Sequence, residues 1–179
     1  PPATLPAAWQ SADIGDVGAA GSASESSGTF TLRGAGADIW GTSDAFHFAF
    51  RPLSGDREIV ARVVSIAGVH AWTKVGVMIR GSTAAGAAHA LMLVSSEKGL
   101  AFQRRRADGA VSEHTSGGAG TAPRWVRLTR AGDAISAYVS ADGVAWTLVG
   151  SDVFQMPADA LVGLAIGSHD ASTAAGAPV

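Results

Sequence analysis

The chain has 179 residues, of which 47% are hydrophobic and 16% are charged, so it has enough apolar material for one large domain. Its formal net charge is -2, and this lack of a basic excess excludes a typical nucleic-acid-binding domain. Cysteine is absent, which excludes disulfides and thiolate metal sites. No apolar run approaches the roughly 20 residues of a membrane helix, so we expect neither nucleic acid nor membrane as a partner.

The first residues suggest that the chain is a module of a larger protein. The segment PPATLP lacks the basic start and apolar centre of a signal peptide, and it is typical of the end of a Pro/Thr linker. We therefore assign residues 1–8 to a linker remnant, residues 9–170 to a single domain, and the small-residue segment 171–179 to a tail. A module of this kind is expected in a secreted or cell-surface protein.

Strand patterns dominate the domain. Runs of β-branched and aromatic residues alternate with Gly, Asp and Ser, and they predict strands at 28–33, 45–50, 58–66, 74–80, 89–95, 99–105, 125–130, 134–140, 145–149 and 161–168. Asp-Gly pairs at 108–109 and 142–143 predict hairpin turns, as does Gly99 less strongly. Segment 82–88 is too rich in Gly and Ala to form an amphipathic helix and is predicted to be a loop. The fold class is therefore all-β, an antiparallel β-sandwich of the jelly-roll type.

Alternation along these strands separates an apolar face from a polar one. The predicted polar face is open to solvent and carries Lys74, Arg80, His89, Gln103 and Arg105. These side chains can donate hydrogen bonds to sugar hydroxyls, but the exposed face of an antiparallel sheet is often simply solvated, and the arginines can also be structural. Trp40 and Trp72, in loops at strand ends, and His47, opposite the phenylalanines of its strand, complete the candidate ligand contacts.

Enzyme and metal motifs are weak or absent in the sequence. No strand carries carboxylates two residues apart, as a glycosidase of this architecture requires, and neither a nucleophile elbow nor a helical histidine pair occurs. We therefore predict no catalytic residues and no obligatory cofactor. Calcium is possible, with Asp38 and Asp44 as loop candidates, although aspartates in turns usually bond their own backbone.

Six segments resemble a bacterial family of uncharacterised domains in the concanavalin A-like lectin and glucanase superfamily. They are WQSADIG (9–15), ADIWGTSDAFHF (37–48), KVGVMIR (74–80), GLAFQRR (99–105), WVRL (125–128) and SADGVAWT (140–147). The resemblance implies a concanavalin A-like sandwich that serves as an accessory module of a polysaccharide-processing or sugar-oxidising enzyme. Gly81 stands where the family usually has an acidic residue, and residues 174–179 lack the aromatic-acidic pair that normally finishes the last strand.

The leading hypothesis is a non-catalytic carbohydrate-binding module that targets a polysaccharide or oligosaccharide, with a catalytic domain in the same parent chain. The cationic face favours an acidic or polyhydroxylated glycan. The alternatives are a structural or adhesion spacer without a small ligand, a lyase or hydrolase with an unfamiliar motif, and an interaction domain within an oligomer.

Overall fold

The computed structural model describes residues 4–179 and shows an all-β fold. The linker assignment therefore lies partly outside the described residues, at positions 1–3. The strands, in chain order, are β1 (Gln10–Ile14), β2 (Ser22–Ser26), β3 (Thr29–Gly36), β4 (Phe46–Pro52), β5 (Arg57–Val63), β6 (Lys74–Arg80), β7 (His89–Ser95), β8 (Leu100–Arg105), β9 (Glu113–Ser116), β10 (Arg124–Ala131), β11 (Ala134–Ser140), β12 (Thr147–Val153), β13 (Leu161–Gly167) and β14 (Asp170–Pro178).

The predicted fold class is confirmed, because all sheet pairings are antiparallel and the sheets stack in two layers. One layer is a seven-stranded sheet in the order β1-β4-β13-β6-β7-β8-β9. The other layer contains a four-stranded sheet, β12-β11-β10-β5, and a three-stranded sheet, β14-β3-β2. The main core lies between the layers and joins Val77 and Met92 of the large sheet to Leu32, Val126 and Leu128 of the facing layer.

Strand positions agree with the sequence pattern where apolar alternation is strong. Strands β6, β7 and β11 have the predicted bounds, and β7 turns into β8 at Gly99, whose φ is +79°. Strands β1, β2, β9 and β14 lie outside the predicted set. Their residues are mostly small or polar and give no apolar alternation, so the partner strand, not local sequence, makes them extended.

The small-residue segment at 171–179 belongs to the sandwich and is not a tail. It lies in β14, which pairs with β3 and buries Ala175 and Ala177 in the main core. Beyond the strand, Val179 exchanges backbone hydrogen bonds of 2.9 and 2.8 Å with Phe30.

The seven-stranded sheet is buried on both faces. Val75, Val77 and Ile79 of β6 point into the main core, whereas Met78 lies in a second apolar cluster on the opposite face, with Phe46, Phe48, Leu91 and other residues. Ile39, from the segment between β3 and β4, belongs to this second cluster. The second face is therefore covered by loops. Over residues 4–179 the structure has no helix long and apolar enough to cross a membrane.

Candidate ligand-binding pocket

The polar residues predicted to share a face of the sheet do so. Arg80 of β6 lies opposite His89 of β7, and His89 lies opposite Arg105 of β8. On the same face, Lys74 Nζ donates a hydrogen bond of 3.2 Å to Gln103 Oε1. Register between neighbouring antiparallel strands therefore gathers side chains that are far apart in sequence.

These side chains are not open to solvent, however, and the prediction of an exposed platform is wrong. Arg80, His89 and Arg105 are 0% exposed, and Lys74 and Gln103 are 3% and 2% exposed. The segment 37–45, before β4, and the segment 81–88, between β6 and β7, lie over them and accept their hydrogen bonds. A polar strand face is buried when loops supply enough acceptors to replace water.

Asp44 is the charged centre of this buried face. Its Oδ1 lies 2.6 Å from Arg105 Nη2, and its Oδ2 lies 2.7 Å from Arg105 Nη1 and 2.6 Å from Arg80 Nη1. The Arg105 pair is bidentate, the strongest geometry for a guanidinium and a carboxylate. We call Asp44, Arg80, His89 and Arg105 the arginine clamp.

The remaining guanidinium donors of the clamp hold loop backbone. Arg80 donates to the carbonyl oxygens of Ser82, Ala84 and Ala85. Arg105 donates to Ala110 O at 3.0 Å, to Gly41 O at 3.1 Å and to Trp40 O at 3.3 Å. The clamp therefore ties the segments before β4, after β6 and after β8 to one point, and it positions the backbone that carries Trp40.

Burial and charge set the protonation states within the clamp. Burial by itself would raise the pKa of Asp44, but hydrogen bonding from Arg105 and the charges of His89, Arg80 and Arg105 lower it overall. Burial lowers the pKa of His89 to about 3, with the two arginines adding to the effect and Asp44 opposing it. At neutral pH the clamp therefore holds an ionised Asp44 and a neutral His89. Arg80, His89 and Arg105 are structural residues, which corrects their prediction as ligand contacts.

His47 lies elsewhere and also fails as a ligand contact. It is 3% exposed, its Nδ1 is 2.7 Å from Asp13 Oδ1, its ring lies against Gly21, and its Cβ lies against Gly34. Its strand alternation was predicted correctly, since Phe46 and Phe48 point the other way. Because β3 and the segment before β2 cover that face, His47 is enclosed between the layers.

The remaining candidates converge on one open pocket of about 370 Å³, at the edge of the covered face. Its lining residues are Asp38, Trp40, Trp72, Lys74, Gln103, His114 and His169. The volume lies in the usual range for small-molecule sites, which combine apolar walls with a few convergent polar groups. Trp40 and Trp72 form those walls, and Trp40 is 39% exposed.

Lys74 lies at the centre of the pocket, and its ammonium group is fully bonded. Its Nζ is 2.5 Å from Asp38 Oδ1, 3.2 Å from Gln103 Oε1 and 3.3 Å from Ile39 O. Three acceptors match the three donors of an ammonium group. The Nζ also lies 5.8 Å from the ring centre of Trp40 and 5.6 Å from that of Trp72, within the range of a cation–π contact.

Lys74 also sets the hydrogen-bond roles of its neighbours. Because it occupies Gln103 Oε1, the amide nitrogen of Gln103 faces His114 Nδ1 at 3.3 Å. Nδ1 is then the acceptor, so a neutral His114 carries its proton on Nε2, as inferred from this network. Burial, followed by the charges of Lys74 and Arg104, lowers the pKa of His114 and favours this neutral form.

His169 forms another side of the pocket. Its Nδ1 lies 3.3 Å from Asp38 Oδ2 and makes no hydrogen bond among the described residues. Its ring stacks on His70 at a centroid distance of 4.4 Å and an angle of 23°. Asp38 Oδ1 accepts from both Lys74 and the Ile39 amide, so Oδ2 is the less occupied oxygen.

Sequence reasoning missed His114 and His169. His114 lies on β9, whose four polar residues give no strand pattern, and only the register places it opposite Gln103. The Asp-Gly turn at 108–109 was the available signal, because a hairpin there returns the chain alongside β8. His169, with φ of +63°, occupies the tight connection between β13 and β14, and no local sequence feature indicates its neighbours.

The calcium candidates are engaged by cations of the protein itself. Both oxygens of Asp44 bind arginine, and Asp38 binds Lys74. Within residues 4–179, no group of three or more His, Asp or Glu side chains is placed to hold a metal ion. Asp44 is therefore a clamp residue, which corrects its candidacy as a calcium ligand.

Comparison with known proteins supports the fold. No protein-family model matches the sequence, and no curated protein is similar to it. A functionally unknown protein from Saccharomyces cerevisiae superposes with a TM-score of 0.69 at 19% identity, over 88% of each chain. The carbohydrate-binding module CBM66 from Bacillus subtilis superposes with a TM-score of 0.61 at 15% identity, over 99% of this chain and 93% of that one.

A third similar structure is a much longer protein. The GH43 BlXynB protein from Bacillus licheniformis superposes with a TM-score of 0.68 at 16% identity, over 98% of this chain and 36% of that one. The fold is an antiparallel β-sandwich of the kind that these structures share. At such identities the likeness establishes the architecture, and function has to be argued from the site.

Proposed function

We propose that this domain is a non-catalytic carbohydrate-binding module that holds a polysaccharide or oligosaccharide in the Trp40–Trp72 pocket. The observation that carries the proposal is the convergence of two tryptophan rings and a hydrogen-bond network on one small cavity. Sugars present apolar C–H faces that pack on aromatic rings, together with hydroxyl groups that both donate and accept hydrogen bonds.

The free hydrogen-bonding groups of the pocket suit such a ligand. Asp38 Oδ2 is the less occupied carboxylate oxygen, and the neutral form of His114 carries a proton on Nε2. An acceptor and a donor beside two aromatic walls can bind a pair of neighbouring hydroxyls. Because the clamp and the Lys74 network fix these groups before a ligand arrives, less ordering is needed on binding.

The proposal extends to the setting of the domain. We infer an accessory role beside a catalytic domain of the same parent chain, in a secreted or cell-surface bacterial protein. The support is the resemblance to uncharacterised bacterial domains together with the likeness to a carbohydrate-binding module and to part of a GH43 protein. Tethering would raise the effective concentration of the catalytic domain at its substrate, even with weak binding at this site.

The test is a binding screen of the domain against soluble polysaccharides and oligosaccharides, followed by calorimetry on any glycan that binds. Trp40→Ala and Trp72→Ala should each weaken binding by about tenfold or more, which corresponds to about 1.4 kcal/mol. Trp146→Ala is the matched control, because Trp146 lies against Arg127 of the four-stranded sheet and lines no part of the pocket.

Other outcomes favour the alternatives. Absence of detectable binding to any neutral or acidic glycan would contradict the proposal and favour a spacer module. New reducing ends after incubation with a polysaccharide would instead indicate a lyase or hydrolase.

A further inference from the structure

We infer that the pocket is specific for an uncharged sugar and that Asp38 enforces this selection against uronic acids. The inference rests on the proposed function and names the substrate class of the same site. It replaces the expectation, drawn from the polar strand face, that a cationic surface would favour an acidic glycan.

The first step is that no basic side chain of the pocket is free to bind an anion. The three donors of Lys74 are taken by Asp38, Gln103 and Ile39. The guanidinium groups of Arg80 and Arg105 are fully buried and point into the clamp and its loops. A carboxylate of a ligand would therefore meet no unpaired ammonium or guanidinium donor, although such donors are what acid-binding sites use.

The second step concerns the charge that the pocket does present. Asp38 Oδ1 is engaged by Lys74 and by the Ile39 amide, whereas Oδ2 accepts no hydrogen bond from the described residues and has His169 Nδ1 3.3 Å away, so Oδ2 is the oxygen that can accept from a ligand. An ionised oxygen accepts a hydrogen bond from a sugar hydroxyl, but it repels a second carboxylate. Because a buried charge needs a partner of opposite sign, a uronate placed beside Asp38 is disfavoured.

The third step concerns the histidines that could offset this repulsion. His114 is kept neutral by burial and by the neighbouring charge of Lys74, which lower its pKa. His169 faces Asp38 Oδ2 at 3.3 Å and stacks on His70. Beyond the pocket, Glu113 on the strand of His114 is paired with Arg104 and Arg106. Among the described residues that line the pocket, the lysine and the carboxylate are Lys74 and Asp38, and they are paired with each other.

The experiment compares neutral glycosides with uronates of the same configuration, such as glucosides with glucuronides and galactosides with galacturonides, by calorimetry at neutral pH. We expect the neutral member of a pair to bind and its uronate to bind at least about tenfold more weakly. Equal or tighter uronate binding would overturn the inference and leave the proposed function intact. Absence of detectable binding for all the neutral glycosides and all the uronates would contradict the proposed function itself.

The variant Asp38→Asn tests the cause of the selection. It keeps the size of the side chain but leaves the Lys74 charge without its counterion, so the ratio of uronate to neutral binding should rise by about tenfold or more. Glu113→Gln is the control, because it also removes one negative charge, and Glu113 is next to His114 in sequence but does not line the pocket. The ratio of uronate to neutral binding in this variant should equal that of the wild type. Thermal unfolding of both variants checks that they are folded. An unchanged binding ratio in folded Asp38→Asn would show that Asp38 does not cause the selection against uronates.

Discussion

Arg105 binds Asp44 through two parallel hydrogen bonds, with Nη2 2.6 Å from Oδ1 and Nη1 2.7 Å from Oδ2. Neither side chain reaches solvent. The same guanidinium group donates to the carbonyl oxygens of Trp40 and Gly41. A wall of the candidate pocket is therefore attached to a charged pair that a ligand does not touch, which separates the residues that build the pocket from those that line it.

Removing the carboxylate of this pair should strongly destabilise the domain. In Asp44→Ala the guanidinium groups of Arg80 and Arg105 stay buried without their counterion, and breaking a buried pair from one side costs about 3–5 kcal/mol. Urea unfolding followed by tryptophan fluorescence measures the loss, and failure to show a cooperative transition counts as the same result. Asp159→Ala, at an exposed position before β13, is the control. Equal stability of the two variants would show that the clamp is dispensable.

The clamp should also make the domain sensitive to mild acid. His89 has a pKa of about 3 in the folded state against 6.5 ordinarily, so between these values only the unfolded state binds a proton on His89. The free energy of unfolding therefore falls as the pH drops through this window, by about 1.4 kcal/mol per pH unit. The lowered pKa of Asp44 acts in the same direction as the pH falls through its ordinary value of 3.8, because the unfolded state then binds a proton on Asp44 that the folded state does not.

Urea unfolding at several pH values across this window tests the assignment to His89. His89→Gln removes the titrating group, so the variant should lose this part of the slope while other groups continue to titrate. Identical slopes in the wild type and the variant would contradict the role of His89.

Strand pairing at the centre of the large sheet should not tolerate a methyl group at position 76. A Cβ on Gly76 would lie 2.1 Å from Met92 O and 2.8 Å from Leu93 Cα, both backbone atoms. Overpacking of this kind costs about 1–3 kcal/mol. Gly176→Ala is the matched control, because the same methyl there would meet only Leu32 O at 3.8 Å. Thermal unfolding of the two variants should separate them, and similar melting temperatures would argue against close strand contact at Gly76.

The hydrogen-bond chain from Lys74 to His114 can be followed by NMR. Burial is the largest cause of the lowered pKa of His114, followed by the charge of Lys74, so Lys74→Met should raise that pKa towards 6.5. A titration of the imidazole resonances measures it, with Lys98→Met, in the turn before β8, as the control. An unchanged His114 pKa in a folded Lys74→Met protein would show that the two groups are not coupled.

The central strands could be predicted because their residues alternate strictly. Val75, Val77 and Ile79 on one side of β6, and Lys74 and Arg80 on the other, determine both the strand and the orientation of its faces. Strands β9 and β14 could not be found in this way. Their polar or small residues become extended only because β8 and β3 offer them an unpaired edge.

Local alternation specifies on which side of a sheet a residue lies, and the composition of this chain was enough to indicate a sandwich. Local alternation carries no information about which loops cover that side of the sheet. Whether Arg80 binds a glycan or Asp44 depends on the segment that carries Asp44, which is 36 residues away in sequence, and bringing distant segments together has an entropic cost that local sequence does not reveal. The burial of the arginine clamp, and the meeting of His114 and His169 with Trp40 and Trp72, are consequences of that long-range packing.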